Sequence, residues 1–295
     1  MELADLHFLV AAAETGNFTS AARKLGLRTS TISRRIARLE DELGLTLFER
    51  GSAGVRLTTG GSWLLCHTKA ALAEIDALKR EGMLRGLGMA GRIRLGCRIP
   101  PTGRLLRELL VRWRDLHPQV SLVIAEMNER DIAAALDTRR LDAALIPSFA
   151  VRNQDGALAI YRERLVLAAP VDHRFSRGGV VNWNSLQDEL ILCQGWDDSQ
   201  AQREFYASLV GKGAHFQSHA ASSQSIFALV GAGFGLTLAL ESQSETPFSG
   251  VFFRQIDEPD AWVNISIAWH VDLKDPAVGC FVAFLRDAVY SRQRL

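Results

Sequence analysis

Three glycines, Gly16, Gly26 and Gly44, cut the first 44 residues into segments that fit only a cluster of short helices. A glycine just past a helical run accepts the left-handed backbone that ends a helix, so each marks a stop. Before the first, Leu6, Leu9, Val10 and Ala13 recur at i, i+3, i+4 and i+7, one face of a helix over residues 3–15. Gly16-Asn17 then stops it. Thr19 reads as the N-cap of a second helix over residues 20–25, and Thr29 or Ser30 as the cap of a third reaching about Leu43. Three short helices with tight turns are the components of a helix-turn-helix.

The third helix carries the chemistry. At 100° per residue Ile32, Ile36, Leu39 and Leu43 share one arc, and Ser30, Ser33, Arg34, Ala37 and Arg38 share the opposite one. One face packs, and the other offers hydroxyls and guanidiniums to a partner. A DNA major groove accepts such a face, because arginine forks onto a guanine edge and serine donates or accepts. The whole chain has a net charge of only +1, so any case for nucleic acid rests on local distribution. That distribution is one-sided. Between Thr15 and Leu39 stand six cations (Arg23, Lys24, Arg28, Arg34, Arg35, Arg38) and no acid, a field suited to phosphates. A solvated amphipathic helix in an ordinary bundle has the same period, and periodicity with charge leaves both readings open.

Residues 8–27 (FLVAAAETGNFTSAARKLGL), 32–50 (ISRRIARLEDELGLTLFER) and 55–60 (VRLTTG) resemble the opening of LysR-type transcriptional regulators. The resemblance implies a winged helix-turn-helix, with a β-wing over residues 45–57 that aims Arg50 and Arg56 at phosphates or the minor groove. It also implies base contacts from Thr29, Ser30, Ser33 and Arg34, with Arg38 on the same face. The chain departs from the family where Arg28-Thr29-Ser30 replaces the common Ser-Gln-Pro. Losing the glutamine removes a bidentate adenine reader, so the operator sequence does not transfer from relatives.

Residues 63–86 form one long helical pattern. Leu64, Thr68, Ala71, Ile75 and Leu78 step by 4, 3, 4 and 3, the seam of a short coiled coil, although a helix packed on its own domain shares the pattern. In the family this is the linker helix that pairs two subunits, which implies a homodimer or homotetramer. Two recognition helices then meet half-sites about 34 Å apart or a multiple of it.

From about residue 91 apolar runs of strand length (93–95, 120–124, 141–146, 165–169, 190–192, 263–268) alternate with helical segments. The alternation argues an α/β architecture with a largely parallel sheet. Looser resemblance to the family at residues 91–96, 109–118, 141–146, 165–170 and 222–240 implies two lobes like those of periplasmic binding proteins. The expected organisation is a DNA-binding domain over 1–62, a linker helix and hinge over 63–90, and an effector-binding domain over 91–295. Its first lobe would span 91–163 with 267–295, and its second 164–266.

A small-molecule effector is expected between the lobes. Pro101 and Thr102 would lie at the start of a helix from Gly103, where a hydroxyl and free N–H groups favour an anion. Ser148 would line the same side and Gln194 would face them from the second lobe. With Arg98 or Arg104 as an added cation, a small carboxylate is the expected class; a plain helix cap is the bland alternative for Thr102.

Other classes leave weaker traces. Gly231-x-Gly233-x-Gly235 has no phosphate-binding lysine and reads as a turn, and no GxSxG, HExxH or Walker sequence occurs, so no enzyme and no cofactor is expected. His215 and His219 lie in an extended pattern that holds them too far apart for one metal. The four cysteines are scattered, so neither disulfides nor a structural zinc is expected. A redox sensor using Cys97 and Cys193 at strand ends facing the crevice is one alternative, and a small-molecule binding protein without regulation is another. Glu2 and Asp5 stand where a secretory signal would carry cations, and the longest apolar stretch, 226–240, is short for a membrane span and broken by glycines. A cytoplasmic protein without a membrane partner is expected.

Overall fold

The computed structural model describes residues 1–51, 54–98, 103–151, 156–195, 201–211 and 213–290. They divide into two compact units, Met1–Met83 and Leu84–Leu295.

In the first unit α1 (Leu3–Thr15), α2 (Phe18–Leu25) and α3 (Thr29–Leu43) precede a hairpin of β1 (Phe48–Gly51) and β2 (Gly54–Leu57) and the long helix α4 (Thr59–Gly86). Gly16, Gly26 and Gly44 all adopt the left-handed cap, at φ of 62°, 68° and 63°. Two expected caps change. The cap of α2 is Asn17, not Thr19: its Oδ1 accepts from the backbone N–H groups of Thr19 at 2.7 Å and Ser20 at 3.3 Å. An amide reaches two orphan donors that a hydroxyl two residues later cannot. For α3 the cap is Arg28, with no side-chain bond, so Thr29 and Ser30 belong to the first turn and stay exposed. The core of the unit is Leu9, Ile32, Ile36, Leu39, Leu47 and Phe48, with Leu64 and Leu65 of α4 packed against it. Helix α4 begins four residues ahead of the expected start, because Thr58 Oγ1 accepts the Gly61 N–H at 2.8 Å. Gly54, at φ +125°, lets the wing approach the α1–α2 turn. Val55 N–H donates to Gly16 O at 2.8 Å, and a Cβ on Gly54 would stand 2.3 Å from that oxygen.

The second unit follows as β3 (Ala90–Cys97), α5 (Arg104–Leu116), β4 (Gln119–Glu126), α6 (Glu129–Asp137), β5 (Ala143–Pro147) and β6 (Ala157–Pro170). Then come β7 (Leu190–Gln194), α7 (Ala201–Val210), β8 (His215–His219), α8 (Ser223–Gly231), β9 (Thr237–Leu240), β10 (Val251–Gln255), β11 (Trp262–Trp269) and α9 (Pro276–Tyr290). The sheet is mixed rather than largely parallel. Strand β3 runs parallel to β4 and β5, and β7 to β8, but β6 pairs antiparallel with β9, β10 and β11, and β11 antiparallel with β5. The apolar run at 165–169 is only the second half of β6. That strand continues through both halves of the unit, with β11 beside it from Ala157 to Arg164.

Two cores result. One holds Ile93, Leu95, Trp113, Ile160, Ile267 and Phe281, with Trp113 edge-on to Phe281 at 4.9 Å. The other holds Leu165, Leu167, Ile191, Tyr206, Val263 and Ile265. The cores therefore change over within β6, between Ile160 and Leu165, and within β11, between Ile265 and Ile267, where the register shifts. These are two lobes joined by a two-stranded ribbon. The Gly231–Gly235 segment is the turn between α8 and β9, with Gly233 at φ +82°.

Candidate functional site

In the first unit the informative surface is the solvent side of α3. With Ile32, Ile36 and Leu39 buried, Thr29, Ser30, Arg34 and Arg38 are exposed and Ser33 half-exposed. The six cations noted above are not equivalent. Arg35 turns inward: its Nε lies 2.7 Å from Asp5 Oδ1, and its Nη2 donates to Glu2. Those contacts raise its pKa, led by its hydrogen bond to Glu2. Lys24 Nζ is 2.8 Å from Glu14 Oε2, and Arg38 Nη2 is 3.7 Å from Glu2 Oε1. Among the described residues Arg23, Arg28 and Arg34 carry no ion pair. On the wing Arg50 and Arg56 are exposed, and the Arg50 guanidinium sits 5.5 Å from the centre of the Phe18 ring. An aromatic ring beneath a guanidinium restricts where it points while leaving its N–H edge available.

In the second unit a cavity of about 30 Å³ lies in the second lobe, on the side that meets Phe149. That is room for about two waters. Its polar lining is Gln194, Gln202, Tyr206, Ser223, Thr237 and Gln243, and Phe149 reaches it from the first lobe. Gln194 is the centre of a network. Its Oε1 accepts from Arg98 Nη1 at 2.9 Å and Ser223 Oγ at 3.3 Å, and its Nε2 donates to Ala221 O at 3.0 Å. Its backbone N–H donates to Gln202 Oε1 at 2.8 Å. Gln202 Nε2 in turn donates to the Tyr206 hydroxyl, which donates to Leu238 O at 2.7 Å.

Of the four residues expected to hold an effector, Gln194 lines this cavity. Ser148 does not; it is exposed at the start of a single 3-10 turn, and its neighbour Phe149 enters instead, stacked on Phe205 at 4.9 Å. Pro101 and Thr102 lie outside the described residues. Arg98 is 4% exposed, its Nε 2.7 Å from Glu129 Oε1. Arg104 directs its side chain to Glu108 at 2.8 Å, while its backbone N–H, the first of α5, donates to Glu245 Oε2 at 3.0 Å. Sequence reasoning missed Gln202 and Tyr206. Their i, i+4 spacing on α7 was the available signal, but nothing in it says that the pair faces a crevice.

Cys97 and Cys193 do not face the crevice; each is fully buried in a different lobe core. Burial pushes both thiols up to about 12. Among the described residues no cluster of three or more His, Cys, Asp or Glu is placed to hold a metal, and no helix is long and apolar enough to cross a membrane.

Comparison with known proteins agrees with this arrangement. Residues 3–62 match the family described as bacterial regulatory helix-turn-helix protein, lysR family, and residues 87–289 match the LysR substrate binding domain. The hydrogen peroxide-inducible genes activator of Pectobacterium carotovorum subsp. carotovorum is 28% identical over 91% of this chain and 90% of its own. The DNA-binding transcriptional dual regulator OxyR of Escherichia coli K12 is 27% identical over 91% of this chain and 89% of its own. Among solved structures, the LysR family transcriptional regulator CbnR superposes with a TM-score of 0.80 at 23% identity, covering 97% of this chain and 100% of that one. The same regulator in complex with its target DNA gives 0.81 at 22% identity, over 98% and 100%.

Proposed function

The chain belongs to the LysR family of transcriptional regulators, and from this premise we infer how its parts divide the task. The family's DNA-binding function resides in residues 1–62, residues 63–90 pair subunits and act as hinge, and residues 91–295 bind a small-molecule effector between their lobes. Effector occupancy changes DNA binding or activation by favouring one of two lobe arrangements, since a ligand acts only through differential affinity. We read the protein as a regulator and not as an enzyme, acting in the cytoplasm with its DNA partner.

The observation that carries the DNA reading is the unpaired Arg34 beside exposed Thr29 and Ser30 at the start of a helix whose other face is fully buried. Ser33, Arg34 and the first-turn hydroxyls are assigned to base edges, and Arg38, Arg50 and Arg56 to phosphates or the minor groove. Assembly as a dimer or tetramer is supported by α4, which leaves Leu78 72% and Met83 68% exposed in the single chain. Large apolar side chains in that position suit a second helix.

Oxidation sensing through Cys97 and Cys193 is favoured by the names of two relatives, but here burial keeps both sulfurs protonated and out of reach. A ligand in the crevice is therefore the primary reading. A gel shift on DNA flanking the chain's own gene tests the function. The intact protein should retard it, with affinity falling as salt rises, and Arg34→Ala should lose about 1–3 kcal/mol of specific binding. Arg34→Ala binding that DNA unchanged would remove α3 as the reader, and an intact protein that retards neither that DNA nor a selected operator would overturn the reading.

A further inference from the structure

The wing is tied to the turn between α1 and α2 at three points. Val55 N–H donates to Gly16 O at 2.8 Å, and Gly54 passes so close that a Cβ on it would stand 2.3 Å from the same oxygen. The third point is a ring. Phe18, the first residue of α2, is half-buried and meets the wing strand β1 twice. Side chains two apart on a strand share a face, and Phe48 and Arg50 are two apart on β1. Phe48, 4% exposed, meets the Phe18 ring edge-on with centroids 5.5 Å apart, and the Arg50 guanidinium lies over that same ring at 5.5 Å. The ladder closes the circuit, since Arg50 stands opposite Val55, the residue bonded to Gly16. Asn17, whose Oδ1 accepts from Thr19 and Ser20, fixes the backbone from which Phe18 projects. Arg56 is placed differently, opposite Glu49 on the other face of the hairpin.

We propose that Phe18 is a positioning residue for DNA binding: its ring holds the exposed Arg50 guanidinium in the direction from which it meets DNA. The wing and the start of α2 then engage DNA as one unit. This rests on the assignment of Arg50 to DNA made above. The physical reason is twofold. A long arginine side chain loses rotamer freedom when it makes a contact, and a platform that already restricts it lowers that cost. The negative face of the ring attracts the guanidinium without using its N–H donors, which stay available for phosphate oxygens or a groove edge. The ring directs the charge of Arg50 and leaves its size unchanged, so it acts on affinity and not on the number of counterions released.

The test is a double-mutant cycle on the full chain, with binding to the DNA flanking its own gene, or to a selected operator, read by fluorescence anisotropy. Two variants remove the attraction. Phe18→Leu deletes the ring, and pentafluorophenylalanine at position 18 keeps its shape, and so the fold, while reversing the charge of its face. Each should weaken binding about two- to fivefold and leave the log–log salt slope unchanged. In an Arg50→Ala background, where the slope itself has fallen by about 1, neither should cost anything further. In an Arg56→Ala background both should cost the full factor. The proposal is overturned if the fluorinated chain binds as tightly as the parent, if the loss persists without Arg50, or if Arg50→Ala itself binds unchanged. Arg34→Ala is measured alongside. If it loses specific binding while the cycle fails, α3 remains the reader and only the role of Phe18 falls, whereas a chain that binds no DNA loses the regulator reading itself.

Discussion

Arg34 and Arg35 are neighbours in sequence and opposites in environment. Arg34 is exposed and unpaired, while Arg35 folds back onto α1 against Asp5, which is 2% exposed, and Glu2. Arg35→Ala should therefore lower the thermal midpoint by several degrees, because it strands a buried carboxylate, and should leave the salt dependence of DNA binding nearly unchanged. Arg56→Ala should do the reverse, leaving the midpoint in place and reducing the log–log salt slope by about 1. Thermal melts and salt titrations of the two variants separate the roles. The distinction was not legible in sequence, where six cations look alike and the acids that silence one of them sit on another helix. The cysteines carry a second consequence. Cys97 and Cys193 have thiols raised from near 9 to about 12, so the folded form disfavours their ionisation. Their contribution to stability is complete below about pH 9 and is lost as the pH climbs toward 12. In native protein at pH 8, iodoacetamide should modify exposed Cys66 first and spare Cys97 and Cys193 until denaturant is added, read by peptide mass. Modification of either buried thiol under native conditions would revive the redox reading.

At the scale of elements, what was legible followed from backbone rules. The first helix spans the expected residues 3–15, because apolar period and glycine stop agree. Boundaries decided by a single side-chain hydrogen bond, such as Asn17 on α2 or Thr58 before α4, were not, since several residues nearby qualify chemically. Strand β6 was half-seen for another reason. Residues 161–164 alternate Tyr, Arg, Glu and Arg where the strand leaves one core for the other, so no apolar run marks them. Two elements invite tests. Gly54→Ala forces a side chain into positive φ and onto Gly16 O, which should cost about 1–3 kcal/mol and loosen the wing; denaturant melts and DNA affinity should both decline. Along α4, Ile75→Asp combined with Leu78→Asp should shift the mass seen by light scattering toward monomer at micromolar concentration, with the circular dichroism of the helical units retained.

For the whole molecule, the architecture was more legible than the crevice. The helix-turn-helix and the two-lobed unit could be reached from periodicity and resemblance, whereas Arg98, Gln202 and Tyr206 converge on Gln194 only after the chain has folded. The ribbon of β6 and β11 has a meaning beyond hinge motion. The chain enters the second lobe at Arg164 and returns at Trp262, and these two residues stand opposite each other in the ladder. Entry and exit are thus separated by one strand spacing, about 5 Å. In the language of assembly from parts, the second lobe is a cassette clipped into one gap of the first. Deleting residues 165–261 and closing Arg164 to Trp262 with a two-residue Asn-Gly turn asks little of the remaining backbone. The shortened chain should keep the first lobe's Trp113–Phe281 core and melt cooperatively, with near-ultraviolet circular dichroism reporting the buried tryptophan. By the same clip, lobes with other pocket linings can be exchanged there, so that ligand choice changes while the DNA-reading end is left untouched.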